Sequence, residues 1–448
     1  MIVDHTNVGA ALRRYSMPFA AQMLGDQLLG IVDTIAIGSL GVVALAGATA
    51  AITLQLVLIF AMAGLWTGTS IITAQRIGAN DVEGYARAVR AGMPIPMLFA
   101  LLATVAAALF GHHILHGMIG GLASLHDAAI YLVLRCAALV PMAIDGTLIG
   151  ALGAAGNRKL GIAVLATINI VHVPLLLILG LGWFTHHPLG IVGIVGIGIS
   201  SLLAESIGAI FAVYYVARRP QYRIFARLDA DLRLAARTAM LGLPESVFLV
   251  TLILPDVAIV TMLAPLGALA ISGFRALTIV SDATFVVPSP MQSTTQIVVG
   301  QRLGAGDFDG AQRFVASARR IGLLFSTLAG ALVAFFAWPI AFLFTLDATV
   351  ASMAALPLAL HMVTLPLKGI AQVSLAPIRA SGDTAFSMSI GIFCNALVIP
   401  LAWLGIERLH YGLFSVPFAW IIAWIARAAL TEWKLRTGSW LHAPPLRA

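Results

Sequence analysis

The sequence has few charged residues for its length. Asp, Glu, Lys and Arg make up only 10% of its 448 residues, whereas hydrophobic residues make up 60%. The mean hydropathy is +0.98. A soluble chain of this length is expected to split into two or three domains, but this balance is typical of a protein whose solvent is mostly lipid. The composition therefore excludes an ordinary soluble enzyme or binding domain.

Motifs of catalytic and metal sites are also lacking. The sequence contains no HExxH, no GxSxG and no paired-Asp metal motif. Its two cysteines, Cys136 and Cys394, lie far apart in apolar segments, which favours buried thiols over a disulfide or a metal site. We therefore predict no enzymatic activity, no cofactor and no structural metal.

The positive charge is distributed as in membrane proteins. The net charge is +7, but the basic residues lie in short runs between apolar segments, so we predict no nucleic-acid partner. If the N-terminus is cytoplasmic, the outside loops hold only Arg408. The positive-inside rule then predicts a multi-pass protein of the bacterial inner membrane with both termini in the cytoplasm.

Apolar length predicts twelve transmembrane helices. Pro255, Pro288 and Pro290 lie inside predicted spans and should kink them. The predicted spans cover residues 14–38, 45–72, 90–111, 128–151, 160–183, 190–217, 237–263, 268–299, 317–345, 353–377, 385–405 and 411–433.

The chain repeats itself at an offset of 226 residues (244 − 18). This offset predicts two six-helix lobes related by pseudo-twofold symmetry, with a central cleft as the substrate site. The predicted domains are an N-terminal lobe at 1–217, a cytoplasmic inter-lobe loop at 218–236, and a C-terminal lobe with a short tail at 237–448. Matching positions are Pro18 and Pro244, Leu40 and Leu266, Gln75 and Gln301, Arg76 and Arg302, Asp81 and Asp307, Gly156 and Gly382, and Asn169 and Asn395.

Two related polar segments follow the second span of each half, at Ala74 to Gly92 and Gly300 to Gly322. Each contains Gln-Arg, a glycine turn, an acidic residue and an amphipathic basic stretch. We expect each to be a capped surface helix at the cytoplasmic interface of the membrane and not a catalytic element.

The first span carries two carboxylates. Asp26 and Asp33 are seven residues apart, so they project from nearly the same face of a helix. An acidic residue in the middle of a span costs on the order of 3 kcal/mol and normally faces a bundle interior or a wet cavity. This helix is therefore the first candidate for function, with Asp26 left open between a functional and a structural role.

Several segments resemble the multidrug and toxic compound extrusion (MATE) family: Val32 to Ala51, the QRIGAND and QRLGAGD loops, and IRASGDT at Ile378 to Thr384. The resemblance covers essentially the whole chain. It implies a secondary active transporter that expels amphipathic, often cationic compounds in exchange for protons or sodium ions, and a two-lobed fold of twelve helices.

The resemblance also implies a cation-coupling site in the N-terminal lobe. Asp33 occupies the acidic position that the family uses for coupling, and Asn169 and Ser201 match further positions of that pocket. One turn after Asn169 the family's usual Asn or Asp is missing, and His172 lies beside that position. Asp26 stands where a Gln is common and supplies a second carboxylate, which favours a proton over sodium. A sodium ion at Asp33 stays open, and His172 is expected more as a core histidine than as a proton relay.

The C-terminal lobe departs from the family pattern. Leu252 and Lys368 stand where many members have Glu and Asp, so the usual sodium site cannot form there. Glu245 and Asp256 are eleven residues apart and are predicted to share a helix face. Lys368 is predicted to pair with Asp256, as a strut or as a gate.

Two further charges lie in the eighth span. Arg275 and Asp282 are seven residues apart and share a helix face, so we predict either an internal ion pair or a partnership with the seventh span. The repeat places Ile259 at the counterpart of Asp33, so coupling is expected in the N-terminal lobe alone.

The sequence therefore predicts a monomeric efflux antiporter with a small amphipathic substrate, the lipid bilayer as its surroundings, and H+ or Na+ as the coupling ion. A flippase for lipid-linked sugars or lipids is the alternative. A flippase should have a strongly cationic cleft, whereas only Arg135, Arg275 and Lys368 are intramembrane cations here.

Overall fold

A computed structural model describes residues 8–119, 124–183, 193–227, 231–345 and 348–441. The regular structure in these ranges is helical throughout. By length and composition, ten of the helices described could cross a membrane, or eleven if the pair Ala348–His361 and Thr364–Ala380, bent by 41°, is one span. Helix Val8–Ser39, 32 residues long, takes the place of the first predicted span. The predicted all-α membrane fold is confirmed.

The chain forms two compact units, which we call unit 1 and unit 2. Unit 1 comprises residues 21–246, and unit 2 comprises residues 247–441 together with residues 8–20 of the first helix. The helices from the start of the chain to the unit boundary are α1 Val8–Ser39, α2 Val42–Gly78, α3 Val82–Gly92, α4 Pro94–Ile119, α5 Leu125–Ala137, α6 Leu139–Ala154, α7 Lys159–Leu175, α8 Ile194–Ala217 and α9 Leu232–Thr251.

Unit 2 holds the remaining helices and ends in a short 3-10 turn. A π-helical turn follows α7 at Leu176–Gly180, and another, at Leu404–Arg408, begins within the eleventh predicted span. The helices of unit 2 are α10 Leu254–Leu263, α11 Ala268–Thr284, α12 Pro288–Ala305, α13 Phe308–Phe335, α14 Ala337–Thr345, α15 Ala348–His361, α16 Thr364–Ala380, α17 Thr384–Trp403 and α18 Ser415–Arg436.

The boundaries between the units differ from the predicted domain limits. They fall after Ala20 in α1 and after Ser246 in α9, not in the segment 218–236. The two boundaries are themselves 226 residues apart (246 − 20), so they respect the repeat. The prediction assigned each helix whole to one lobe, whereas packing assigns the first part of α1 to unit 2 and the first part of α9 to unit 1.

In unit 1, α9 crosses α2 with almost no space between the backbones. A Cβ at Gly68 would lie 2.2 Å from the carbonyl oxygen of Thr238, and one at Gly242 would lie 2.8 Å from the Cα of Leu65. The Ser246 hydroxyl donates a hydrogen bond to the carbonyl of Ala61 at 2.5 Å. Small residues allow the two backbones to come this close. The van der Waals packing and the hydrogen bonds made at such a crossing drive helix association in lipid.

In unit 2, the equivalent crossing joins α1 to α12. The Ser16 hydroxyl donates to the carbonyl of Pro290 at 3.3 Å and lies 2.7 Å from the hydroxyl of Thr294. Ser16 is the repeat counterpart of Gly242 (242 − 16), and Thr294 that of Gly68 (294 − 68). The same crossing is therefore made twice, once by close backbone contact and once by side-chain hydrogen bonds.

The two polar loops are capped alike. Asp81 accepts from the backbone N–H of Gly84 at 2.7 Å and from Arg76 at 2.8 Å. In the second copy, Asp307 is the N-cap of α13 and likewise binds an arginine five residues earlier. The caps are as predicted, since a helix-start carboxylate satisfies orphan N–H groups.

The surface-helix prediction, however, was wrong in two respects. In α3, Tyr85 and Val89 are fully buried, and the Tyr85 ring lies 6.2 Å from that of Tyr222. In the second copy there is no separate helix, because α13 runs unbroken from Phe308 to Phe335. Pro94 begins a new helix in the first copy, whereas its counterpart in the second is Arg320, which continues the helix.

Proline also divides the seventh and eighth predicted spans. The helix is interrupted between Thr251 and Leu254, just before Pro255, and again between Thr284 and Pro288. Because proline lacks an N–H and its ring clashes with the carbonyl four residues earlier, it interrupts a helix at such positions. The kinks predicted at Pro255 and Pro288 are confirmed, whereas the one predicted at Pro290 is wrong, because Pro290 lies in the first turn of α12, where proline is tolerated.

Candidate functional site

A polar network in unit 1 centres on Asp33 of α1. This aspartate is buried, with 8% of its surface exposed. One carboxylate oxygen of Asp33 lies 2.7 Å from Nε2 of His172 in α7. The other lies 3.7 Å from Nη1 of Arg135 in α5. The carboxylate is therefore placed between an imidazole and a guanidinium.

Two serines of α8 orient the nitrogen partners of Asp33. Ser200 and Ser201 both donate their hydroxyl hydrogens to the carbonyl of Ile197, at 2.7 and 3.0 Å. Their oxygens are thus left as acceptors: Ser201 accepts from Nη1 of Arg135 at 2.8 Å, and Ser200 lies 3.4 Å from Nδ1 of His172. Ser200 and Ser201 thus hold the His172 ring and the Arg135 guanidinium on either side of the Asp33 carboxylate.

The Arg135 side chain is fixed from α2 as well. Its Nε donates to Oε1 of Gln55 at 2.7 Å, and Nε2 of Gln55 donates to the Arg135 carbonyl at 3.1 Å. A guanidinium offers five donors in a rigid fork, so these bonds determine where its charge lies. The positive charge of Arg135 is held beside Asp33 by residues of α2 and α8.

Two other predicted residues of this site, Asn169 and Asp26, form no hydrogen bond or ion pair with Asp33 within the described part of the chain. The structure brings Asp33, His172 and Ser201 together, whereas the side chain of Asn169 donates to the carbonyl of Leu165 in its own helix at 2.9 Å. Asp26 is exposed and interacts electrostatically with Asp145 and Glu205. Asp26 therefore interacts with two further acids, and one of them, Glu205, connects it electrostatically to Arg135 and His172 of the Asp33 network.

The sequence reasoning missed four residues of the network: Gln55, Arg135, Ser200 and Glu205. The Glu205 carboxylate of α8 interacts electrostatically with Arg135, Asp26 and His172. A signal was present, because a charged residue within a span requires a partner. Arg135 in the fourth predicted span should have prompted a search for the acid that it neutralises.

In unit 2, Lys368 of α16 is almost fully buried, at 2% exposure. Its ammonium donates to the hydroxyl of Ser281 in α11 at 2.9 Å, and that hydroxyl lies 3.0 Å from Nε2 of His361. The ammonium also lies 4.6 Å from the ring centroid of Phe285 and 5.8 Å from that of Trp424. The Ser281 hydroxyl therefore links the Lys368 ammonium to the His361 ring.

The predicted contact between Lys368 and Asp256 is not formed. Asp256 and Asp282 interact with Lys368 only electrostatically, at longer range, and Ser281 takes the direct hydrogen bond. Arg275 likewise interacts with both aspartates without forming the predicted close ion pair with Asp282. Within the described part of the chain, the side chains of Asp256, Arg275 and Asp282 make no hydrogen bond and no ion pair at contact distance.

Glu245 does not belong to this group. It lies in α9 on the unit 1 side of the boundary and is 1% exposed. The prediction that it shares a face with Asp256 assumed one continuous helix, and the interruption at Leu252 and Ile253 removes that regular spacing. The C-terminal network therefore consists of Asp256, Arg275, Asp282 and Lys368, with Ser281 and His361 added by the structure.

Comparison with known proteins gives the same repeat independently. A family model, MatE, matches residues 18–178 and 244–404. The chain belongs to the MatE family. The starts of the two matched segments differ by 226 residues (244 − 18), as do their ends (404 − 178), so the internal repeat found in the sequence is the family's own repeat. The resemblance to this family is confirmed.

Relatives of this MatE chain extend over nearly its whole length. It is 24% identical over 443 residues to the probable multidrug resistance protein NorM of Rhizobium meliloti (strain 1021), covering 93% of this chain and 91% of the relative. It is also 24% identical over 435 residues to the FAD transporter of Shewanella oneidensis, covering 94% and 93%.

A solved structure confirms the fold. The outward-facing conformation of a multidrug resistance MATE family transporter superimposes with a TM-score of 0.89 over 98% of this chain and 97% of the other, at 19% identity. Similarity at this identity supports the architecture, and the function must be argued from the site. The MatE chain is thus a multi-pass membrane transporter with the two-lobed fold of its family.

Proposed function

We propose that this MatE chain is a proton-coupled exporter of amphipathic compounds, with the Asp33–His172 pair as its proton site. The supporting observation is the 2.7 Å contact between a carboxylate oxygen of Asp33 and Nε2 of His172, with the Ser200 hydroxyl 3.4 Å from Nδ1 of the same ring. Such a pair binds and releases one proton at a defined position. The proposal assigns His172 a part in coupling, whereas the sequence favoured a core role for this histidine.

The surroundings of Asp33 favour a proton over a sodium ion. Hard cations such as sodium bind through several oxygen ligands, whereas both Asp33 oxygens face nitrogen donors here. A sodium ion would also meet the charge of Arg135. Two like charges at about 4 Å repel by about 4 kcal/mol at an effective dielectric constant of 20.

Proton binding would change the links between helices. The deprotonated carboxylate attracts Arg135 of α5 and His172 of α7 and so ties α1 to both helices. A proton on the pair gives the site a net charge of about one unit and weakens the attraction to Arg135. A coupling ion can shift a conformational equilibrium only if it binds the two conformations of the protein with different affinities. In this proposal, the difference arises from the electrostatic contacts that Asp33 of α1 makes with Arg135 of α5 and His172 of α7.

The remaining features of the proposal come from sequence and relatives. We place both termini in the cytoplasm and the protein in the bacterial inner membrane, on the basis of its Lys and Arg distribution. We further propose that it acts as a monomer. Its substrates are small amphipathic molecules, which the name of the NorM relative supports. The family match favours an exporter over the lipid flippase that the sequence left open.

Transport by purified protein in liposomes tests the proposal. An imposed pH gradient should drive export of a fluorescent amphipathic cation, whereas an imposed sodium gradient alone should not. Asp33→Asn should abolish pH-driven export because it removes the proton-binding carboxylate. Asp127→Asn, the same change at an exposed residue of α5 outside the network, is the matched control and should transport normally.

Two results would refute the proposal. Undiminished pH-driven export by folded Asp33→Asn protein would exclude Asp33 as the proton site. Export driven by sodium alone would replace the proton as the coupling ion.

A further inference from the structure

A pocket of about 370 Å³ lies in unit 2 between α10 and α11. Its volume falls within the range of sites that bind small organic molecules. Asp256 of α10 and Arg275 of α11 line it together, beside the hydroxyls of Thr261 and Thr278. The pocket thus presents both signs of charge.

Among the described residues, the two charged groups in this pocket have no partner at contact distance. Within the described residues, neither Asp256 nor Arg275 forms a hydrogen bond or an ion pair at contact distance through its charged group. Charged side chains within membrane spans are costly and usually mark a binding site or a pathway. Asp256 and Arg275 are therefore available for groups that enter the pocket.

The Lys368 ammonium of unit 2 has its direct contacts outside this pocket. Asp282 and Asp256 both interact with it electrostatically at longer range. The ammonium itself is bonded to Ser281 and lies over Phe285. Neither Lys368 nor Asp282 lines the pocket, so its charge pattern is one carboxylate and one guanidinium.

Apolar side chains complete the pocket. Val257, Val260 and Phe274 contribute to its walls, and Val257 is 59% exposed. A ligand that fills the pocket must therefore have an apolar body as well as polar groups. Fixed polar groups in an apolar pocket determine how such a ligand is oriented.

We propose that this pocket binds zwitterionic amphiphiles, with a cationic group against Asp256 and a carboxylate or phosphate against Arg275. A guanidinium suits such an anion because it can donate two parallel hydrogen bonds. The inference rests on the proposed export function, for which the pocket is a substrate subsite. It narrows the substrate class from amphipathic cations to compounds that carry both charges.

Binding of three matched probes to purified protein in detergent tests this subsite. The probes are dansylated alkyl chains of equal length that end in a carboxybetaine, a trimethylammonium or a carboxylate, with dansyl fluorescence as the readout. The carboxybetaine should bind most tightly. Asp256→Asn should weaken the carboxybetaine and the ammonium by about tenfold or more, and Arg275→Gln the carboxybetaine and the carboxylate, as expected for loss of a charge-assisted bond.

Matched controls separate the pocket from general charge effects. Glu407→Gln and Arg408→Gln remove one negative and one positive charge from exposed residues of unit 2 outside the pocket. They should leave all three affinities unchanged. Val260→Trp fills the pocket without changing its charge and should weaken all three probes. Equal affinities of the carboxybetaine for wild type, Asp256→Asn and Arg275→Gln would overturn the proposal.

The source of the zwitterion is settled by competition. Displacement of the carboxybetaine probe by short-chain phosphatidylcholine assigns the pocket to bilayer lipid, and resistance to displacement assigns it to soluble compounds; either result supports a zwitterion site. Asp33→Asn protein should retain probe binding. If it also keeps pH-driven export, the proton site fails while the pocket stands, whereas loss of selectivity among the probes removes the pocket alone.

Discussion

Replacing Arg135 by Gln should change the pH at which the protein transports. In the structure, Nη1 of Arg135 lies 3.7 Å from Asp33 and stabilises its carboxylate form. Removal of the positive charge favours the protonated form, so Asp33 should bind its proton at a higher pH. The pH of half-maximal proton-driven export should therefore rise.

The distance sets the size of this shift. At an effective dielectric constant of 20, the attraction between the two charges is about 4 kcal/mol. One pH unit corresponds to about 1.4 kcal/mol, so the ceiling is about three pH units. The two side chains are 19% and 11% exposed, and water entering the vacated space will screen the remaining charges. We therefore expect a rise of about one to two pH units.

Initial export rates in liposomes, measured over a pH series at a constant pH difference, give this midpoint. Arg135→Lys keeps the charge but not the fork that binds Gln55 and Ser201, so it should give a smaller shift. Arg218→Gln, at an exposed arginine of unit 1, should give none. A midpoint that moves by less than about 0.3 pH unit in folded Arg135→Gln protein would refute the electrostatic coupling, because that is under about 0.5 kcal/mol.

Two structural predictions concern stability and are checked by thermal unfolding in detergent. Gly68→Ala should lower the free energy of unfolding by about 1 to 3 kcal/mol, because its Cβ would meet the backbone oxygen of Thr238. Gly30→Ala, with nothing within 4 Å of its Cβ, is the control and should be neutral or stabilising; an equal loss for both would contradict the packing argument. Asp81→Ala should cost about 1 kcal/mol through loss of the α3 cap, and a melting temperature equal to that of wild type would show that the cap is dispensable.

The architecture could be predicted because it depends on properties that a sequence displays directly. Apolar length gives the spans, and the offset between Pro18 and Pro244 gives the repeat. Pro255 and Pro288 also predict the helix breaks, since proline interrupts a helix through its own ring and its missing N–H. These features are local or periodic, so they do not require knowledge of which helices touch.

The partners of the charged residues could not be predicted in the same way. Asp33 was found from its position in a span, but its neighbours Arg135 and His172 come from other helices and depend on helix rotation and packing. Asn169 was expected at the site, yet it bonds to its own helix. Lys368 was expected to bind a carboxylate, yet the hydroxyl of Ser281 lies within reach and satisfies it.

The exchange of helix segments between the units limits how this protein can be divided. Residues 8–20 pack in unit 2, and the first part of α9, up to Ser246, packs in unit 1. A polypeptide ending in the segment 218–236 would lack the α9 contacts at Gly64 and Gly68, and one beginning there would lack Ser16 as a partner for Thr294. Neither half, expressed alone, would therefore contain a complete unit. We expect each half to need the other for stable folding, even though their sequences repeat.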